Sequence, residues 1–197
     1  MAFVGDIQNE KIIMLSRSDF TIYSLWLILV PVLIISRSIM AIGSKLRGTD
    51  IANADRRNKK SITVVLTPLF VLVFLSVFTP IVLGPLFWGG CALIFLAGVI
   101  YALSIAAFVK AKRGLVTTGI YRFSRNPMYI AMFLTLVGFV LMAFSAAPIM
   151  GILTAIISLW IIATIHWMVL GEERFLESKH GEIYVKYKHR TPRYLLF

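Results

Sequence analysis

Five apolar runs divide the chain, at approximately residues 20 to 42, 62 to 80, 85 to 109, 128 to 145 and 148 to 170. Each has about the length that lets an α-helix cross the hydrocarbon core of a bilayer. The segments between them alternate. The first connector, 43 to 61, holds Lys45, Arg47, Arg56, Arg57, Lys59 and Lys60 against Asp50 and Asp55, whereas the second, 81 to 84, holds no charge. The third carries Lys110, Lys112, Arg113, Arg122 and Arg125 with no acid. The fourth, around Ala146 to Pro148, is an uncharged turn, and the tail from 171 onward has Arg174, Lys179, Lys186, Lys188, Arg190 and Arg193. Lysine and arginine are retained on the cytoplasmic side of membranes. The expected fold is therefore all-α, a polytopic transmembrane helical bundle of about five spans, with the N-terminus outside and the C-terminus cytoplasmic.

Local punctuation agrees with these boundaries. Ser61 is placed to cap the second helix, and Pro85 after Gly84 and Pro148 after Ala147 suit the first helical position. Spans two and three, and spans four and five, should then be hairpins. Small residues at Gly89, Gly90, Ala97 and Gly98 on span three, and at Gly138 and Ala143 on span four, would permit close helix approach.

Composition narrows the class. The 197 residues are 59% hydrophobic and 15% charged, outside the range of soluble domains. The net charge of +11 would raise nucleic acid as a partner in a soluble protein. Here most of the basic residues fall in three segments bordering apolar spans, which argues against that partner. Cys91 is the single cysteine and lies in an apolar run, so no disulfide framework or thiol metal site is expected; His180 and His189 lack metal-ligand spacing. The first 19 residues mix Asp6, Glu10, Lys11, Arg17 and Asp19, unlike a cleavable signal peptide. Residue 1 is expected to belong to the mature chain.

The candidate chemistry lies in GIYRFSRNPMYIAM, residues 119 to 132. Pro127 disfavours helix at Asn126 and favours a helix start, so Asn126 is the expected N-cap of span four, its side chain accepting from a first-turn amide. Arg122 and Arg125 flank this positive helix end, and Tyr121 and Tyr129 supply rings and hydroxyls. On a plainer reading these residues only mark the lipid headgroup boundary. A second cluster ends span five, where Glu172 and Glu173 stand at the same boundary; carboxylates at that depth are expensive unless paired or used. His166, Leu170 and Glu173 share one helix face. The hairpin of spans four and five brings both clusters to one side, where they could line one polar pocket or simply form a salt bridge from a glutamate to Arg122 or Arg125. His166 is either an interfacial hydrogen-bonded residue or a contact on the substrate side.

LVTTGIYRFSRNPMY, a GEE pair further on, and HGEIYVKYKHRTPRY together resemble the C-terminal core of the membrane-embedded methyltransferases that include isoprenylcysteine carboxyl methyltransferases and phospholipid (phosphatidylethanolamine) N-methyltransferases. The resemblance covers roughly residues 95 to 197. It implies an S-adenosylmethionine site at the cytoplasmic mouth of the bundle, held by Gly119, Tyr121, Arg125, Asn126, Pro127, Tyr129, Glu172 and Glu173. Gly181, Tyr184, Tyr187 and Arg193 match the tail element. Asn126 replaces a histidine common in the family, which removes proton chemistry at that position.

On this reading residues 1 to 110 contribute spans one to three and the basic connector. Residues 111 to 197 form the cofactor-binding core with spans four and five and a cytoplasmic tail, all in one structural domain. The expected activity is methyl transfer of the EC 2.1.1 type from S-adenosylmethionine to a lipid-like or apolar acceptor. A prenylated cysteine, an ethanolamine headgroup and a small thiol or acid all fit. Arg125 would orient a carboxylate acceptor, and Glu173 would take the proton of an amine. Two competing classes are an NADPH-dependent enzyme resembling sterol reductases and a non-catalytic adaptor or transporter. A transporter should carry charge near the bilayer midplane, and Arg37, near an end of span one, is the only charge within the assigned spans.

Overall fold

The computed structural model describes residues 17–46, 59–111 and 114–194. Most of the first basic connector, the Lys112–Arg113 pair and nearly all of the N-terminal 19 residues lie outside them, as does the side chain of Arg37. The elements in chain order are strand β1 (Arg17–Thr21), helices α1 (Tyr23–Leu46) and α2 (Lys59–Val77), strand β2 (Pro80–Val82) and helix α3 (Pro85–Lys110). A single 3-10 turn (Gly119–Arg122) leads into α4 (Pro127–Ala146), α5 (Pro148–His180) and α6 (Glu182–Arg190).

Among the described residues three helices, α3, α4 and α5, are long and apolar enough to cross a membrane. The described apolar parts of α1 and α2, Tyr23–Ile35 and Leu66–Val77, are shorter. Pro85, Pro127 and Pro148 each occupy the first turn of their helix. There a missing amide hydrogen costs nothing and the fixed φ favours helix, which is why these three starts were legible in the sequence. In α2, described from Lys59 onward, Ser61 lies inside the helix rather than capping it.

The bundle is not purely helical. β1 and β2 form a short antiparallel ribbon, Arg17 opposite Val82 and Thr21 opposite Pro80, extended by the Ile22 amide donating to the Thr79 carbonyl at 2.9 Å. Pro80 sits at the strand's first residue, where a missing donor is tolerated. Ser145 Oγ donates to the Val82 carbonyl at 2.8 Å and ties the end of α4 to the ribbon. The ribbon therefore marks one end of the bundle, where α1 and α3 begin and α2 and α4 finish. The opposite end holds the 3-10 turn, the start of α4 and the far half of α5.

The core lies where α4 packs against α3 and α5, joined by Ile22, Trp26 and Leu72 from the earlier elements. α3 and α4 approach closely at Gly90 and Gly138, where a Cβ on Gly90 would stand 2.6 Å from the Gly138 carbonyl oxygen. Hydroxyls inside the apolar segments turn back onto their own helix: Ser104, Thr135 and Thr164 each donate to a carbonyl four residues earlier. Such local bonds satisfy polar groups where no water is at hand.

Trp26 is stacked on Phe139 with centroids 5.1 Å apart, yet its indole Nε1 has no hydrogen-bond partner among the described residues. An unmet buried donor costs free energy that the ring's packing must offset. Trp26→Phe is therefore expected to leave the thermal midpoint in detergent unchanged or slightly raised, whereas Trp26→Ala should cost about 3–5 kcal/mol. A large loss on Trp26→Phe would show that Nε1 is bonded after all.

Candidate functional site at the far end of the bundle

Three elements converge beside the start of α4. Pro127 starts that helix, the preceding SRN segment runs along its mouth, and α5 passes alongside carrying Glu172 and Glu173. α5 continues unbroken through Gly171 to His180, so His166 and Glu173 lie on one continuous helix as the sequence suggested. Beyond Gly181 the short helix α6 turns the chain back, and residues 191 to 194 cross the opening between α4 and α5.

Glu173 is the joint of this arrangement. It is only 4% exposed. Arg193 embraces it with a fork, Nε to Oε1 at 3.1 Å and Nη2 to Oε2 at 2.9 Å. Planar two-point pairs of this kind are the strongest of the common ion pairs. Asn126 Nδ2 donates to Glu173 Oε1 and to the Arg193 carbonyl, both at 3.4 Å. Arg125 Nη1 lies 3.3 Å from Glu173 Oε1.

The tail is fixed by its backbone as well. The Arg125 amide donates to the Pro192 carbonyl at 2.9 Å, and Ser124 Oγ donates to the Arg193 carbonyl at 3.0 Å. Ser124 Oγ also accepts from the Asn126 amide at 3.0 Å. Asn126 does occupy the N-cap position of α4, but its side chain makes no cap bond. Instead the Asn126 side chain is held through its Nδ2 by the Glu173 carboxylate and the Arg193 carbonyl.

Arg125 is the unusual group here. Its side chain is 8% exposed, and its Nε and Nη1 have no hydrogen-bond partner among the described residues. The Glu173 contact is an ion pair whose alignment does not complete a bond. Buried guanidinium protons left unmet are costly, more so than neutral donors. Tyr184, 1% exposed, packs against this guanidinium. Burial and the nearby Glu173 push its phenol up to about 12, with Arg125 opposing, so it is a neutral hydroxyl in the physiological range.

The other sequence candidates fall around this centre. Tyr129 Oη donates to both oxygens of Glu172 at 2.9 Å, joining the first turn of α4 to α5. Tyr187 Oη donates to the Tyr121 carbonyl at 2.7 Å, and burial pushes its phenol up. Tyr121 and Tyr187 thus brace the loop from behind. Gly119 adopts φ +63° at the start of the 3-10 turn, with Ala107 of α3 close by, a backbone shape that side chains resist. Arg122 is exposed. The salt bridge that the plainer reading offered does exist, from Glu173 to Arg125, with Arg193 as its larger partner. No group of three or more potential metal ligands occurs among the described residues.

Sequence reasoning passed over two residues. Ser124 looked like a spacer within SRN, and its signal is its place one turn ahead of a proline-started helix. Tyr194 was read only as the end of the tail motif. Its Oη is 3.2 Å from His166 Nδ1, and its ring meets Phe133 edge-on at 5.3 Å between centroids.

These features define a helical membrane protein with a charged, buried site at one end of its bundle. Residues 87–183, just under half of the chain, match the family model described as phospholipid methyltransferase. The match runs from α3 into α6; Tyr184, Tyr187, Arg193 and Tyr194 follow it. No curated protein and no solved structure matches the chain.

Proposed function

We propose that this protein is an integral membrane methyltransferase that uses S-adenosylmethionine and acts on a lipid-like or apolar acceptor at the cytoplasmic face. The observation that carries the reading is Arg125, a nearly buried guanidinium with two unmet donor nitrogens within the family-matched segment. A carboxylate is the natural partner for such donors, and the cofactor carries one. The start of α4, uncapped by any side chain, adds a positive dipole end beside it. Glu172, with Tyr129 on its oxygens, suits the cofactor's ammonium or ribose hydroxyls, and the tyrosines suit its adenine. The residues present thus fit the group the family uses.

When bound, the cofactor supplies a sulfonium-activated methyl group. The chain's own task is alignment and exclusion of water, since an in-line displacement depends chiefly on holding the two reactants in place. Arg125 and the first turn of α4 would hold the anionic end, and the ion-paired Glu173 would keep Arg125, Asn126 and the tail in register. We further propose five spans, with α1 and α2 crossing as well as α3 to α5. The basic connectors and tail would then face the cytosol, the compartment that supplies the cofactor.

Calorimetric titration of the detergent-purified protein with S-adenosylhomocysteine tests this. Micromolar binding is expected, reduced at least about tenfold by Arg125→Gln in protein that still elutes as a single folded species, equivalent to about 1.4 kcal/mol. Asn126→His should retain binding. Binding of NADPH instead, or of neither compound, overturns the proposal.

A further inference from the structure

We infer that Tyr194 and His166 form the proton-accepting pair of the site, serving an acceptor that presents an amine-bearing headgroup. The inference rests on the methyltransferase reading and goes beyond it in naming the groups that move a proton. An ammonium group has no lone pair and must lose a proton before its nitrogen can attack a methyl carbon. Some side chain at the site has to receive that proton.

Glu173 is poorly placed for this. Its Oε1 accepts from Arg193 and Asn126 and lies against Arg125, and its Oε2 accepts from Arg193. Both oxygens are committed to holding α4, α5 and the tail together. Tyr194 is differently situated. The docked backbone of Pro192 and Arg193 delivers it between α4 and α5, with its ring against Phe133. Its Oη is 3.2 Å from His166 Nδ1 and within electrostatic reach of Arg193, Glu173 and Glu172. Burial pushes this phenol up, so Tyr194 stays a neutral hydroxyl, able to pass a proton on rather than to keep one.

The pair works with the imidazole proton on Nε2, leaving Nδ1 as the acceptor. Tyr194 Oη takes a proton from the ammonium group as its own proton passes to His166 Nδ1. Imidazole becomes imidazolium, and the acceptor is left as a free amine. Its lone pair forms the nitrogen–carbon bond while the carbon–sulfur bond of the sulfonium donor breaks, its electron pair remaining on sulfur. His166 later returns the proton to water. Glu172, some distance along the same helix, contributes negative charge that favours a cationic headgroup near Tyr194.

The experiment uses the full chain in vesicles of phosphatidylcholine containing phosphatidylethanolamine, with methyl-labelled S-adenosylmethionine. His166→Ala and Tyr194→Phe are each expected to lower kcat about a hundredfold, in the range general-base groups contribute. S-Adenosylhomocysteine affinity should stay within about twofold of the unaltered protein, since the bond that each substitution removes is the one between Tyr194 and His166 and the Arg125–Glu173–Arg193 pairing is left in place. The double variant should be no slower than the slower single one, because the two residues act as one unit. Added imidazole should restore part of the rate of His166→Ala, which a purely structural role would not allow. Failure of the unaltered protein to bind S-adenosylhomocysteine sinks the underlying reading. Binding without transfer to phosphatidylethanolamine, unchanged kcat in either variant, or a loss that imidazole does not relieve overturns the proton-accepting pair alone.

Discussion

Glu173→Ala is expected to be among the most damaging single substitutions in the chain, costing about 3–5 kcal/mol. The reason is the pair of cations it would abandon. Arg125 and Arg193 both rest on this carboxylate, with side-chain exposures of 8% and 26%. Removing the shared anion leaves two partly or wholly desolvated guanidinium groups facing each other, a worse state than either a complete pair or none. Glu173→Gln keeps the shape and one acceptor oxygen, and should fall between the parent and Glu173→Ala. Adding Arg193→Gln to Glu173→Gln should recover part of that loss, because one unpaired charge goes with its partner. Thermal unfolding in detergent measures all four proteins. Equal midpoints for Glu173→Ala and the parent would mean that water reaches the cluster freely and that the site is not closed.

The second large effect concerns assembly rather than the site. Gly138→Leu is expected to separate α3 from α4, at a cost of about 3 kcal/mol or more, since a Cβ there would stand 2.7 Å from Ile94 Cγ1 and 2.9 Å from the Gly90 carbonyl oxygen. A carbonyl on a neighbouring helix cannot move aside as a flexible side chain can. Gly98→Leu supplies the control. A Cβ at Gly98 meets nothing within 4 Å, so that substitution should leave folding unchanged although both residues are helical glycines in apolar segments. Loss of the monodisperse species on size-exclusion chromatography for Gly138→Leu and its retention for Gly98→Leu is the predicted result. Equal behaviour would show that the Gly90–Gly138 crossing is not a tight contact.

That contrast also shows what a sequence can and cannot display. Gly89, Gly90 and Gly98 look alike in the primary structure, and only the crossing geometry selects Gly90. Helix starts were readable where proline fixed them, at Pro85, Pro127 and Pro148. The ribbon of β1 and β2 went unseen because a three-residue strand beginning with proline carries no alternation to detect. At the site, the hairpin of α4 and α5 was enough to bring Asn126 and Tyr129 towards Glu172 and Glu173. The tail's path was beyond such reasoning. Nothing in TPRY states that its carbonyls will receive Ser124, Arg125 and Asn126, and those backbone bonds are what carry Arg193 to Glu173 and Tyr194 to His166. The expected cap is absent for a related reason, since the Nδ2 of Asn126 binds partners 47 and 67 residues away.

α5 has 33 residues without interruption from Pro148 to His180. At about 1.5 Å of rise per residue it is a rod of roughly 50 Å, against a hydrocarbon core of about 30 Å. Glu172 stands roughly 36 Å along that rod from Pro148. With Pro148 at one face of the core, the glutamates ride about 6 Å past the other, at the depth of lipid headgroups. No hinge or loop intervenes, so the height of the glutamates above the bilayer is built in as a ruler: one residue inserted between Pro148 and Glu172 would raise them by a single helical step and turn them by about 100° away from Arg125.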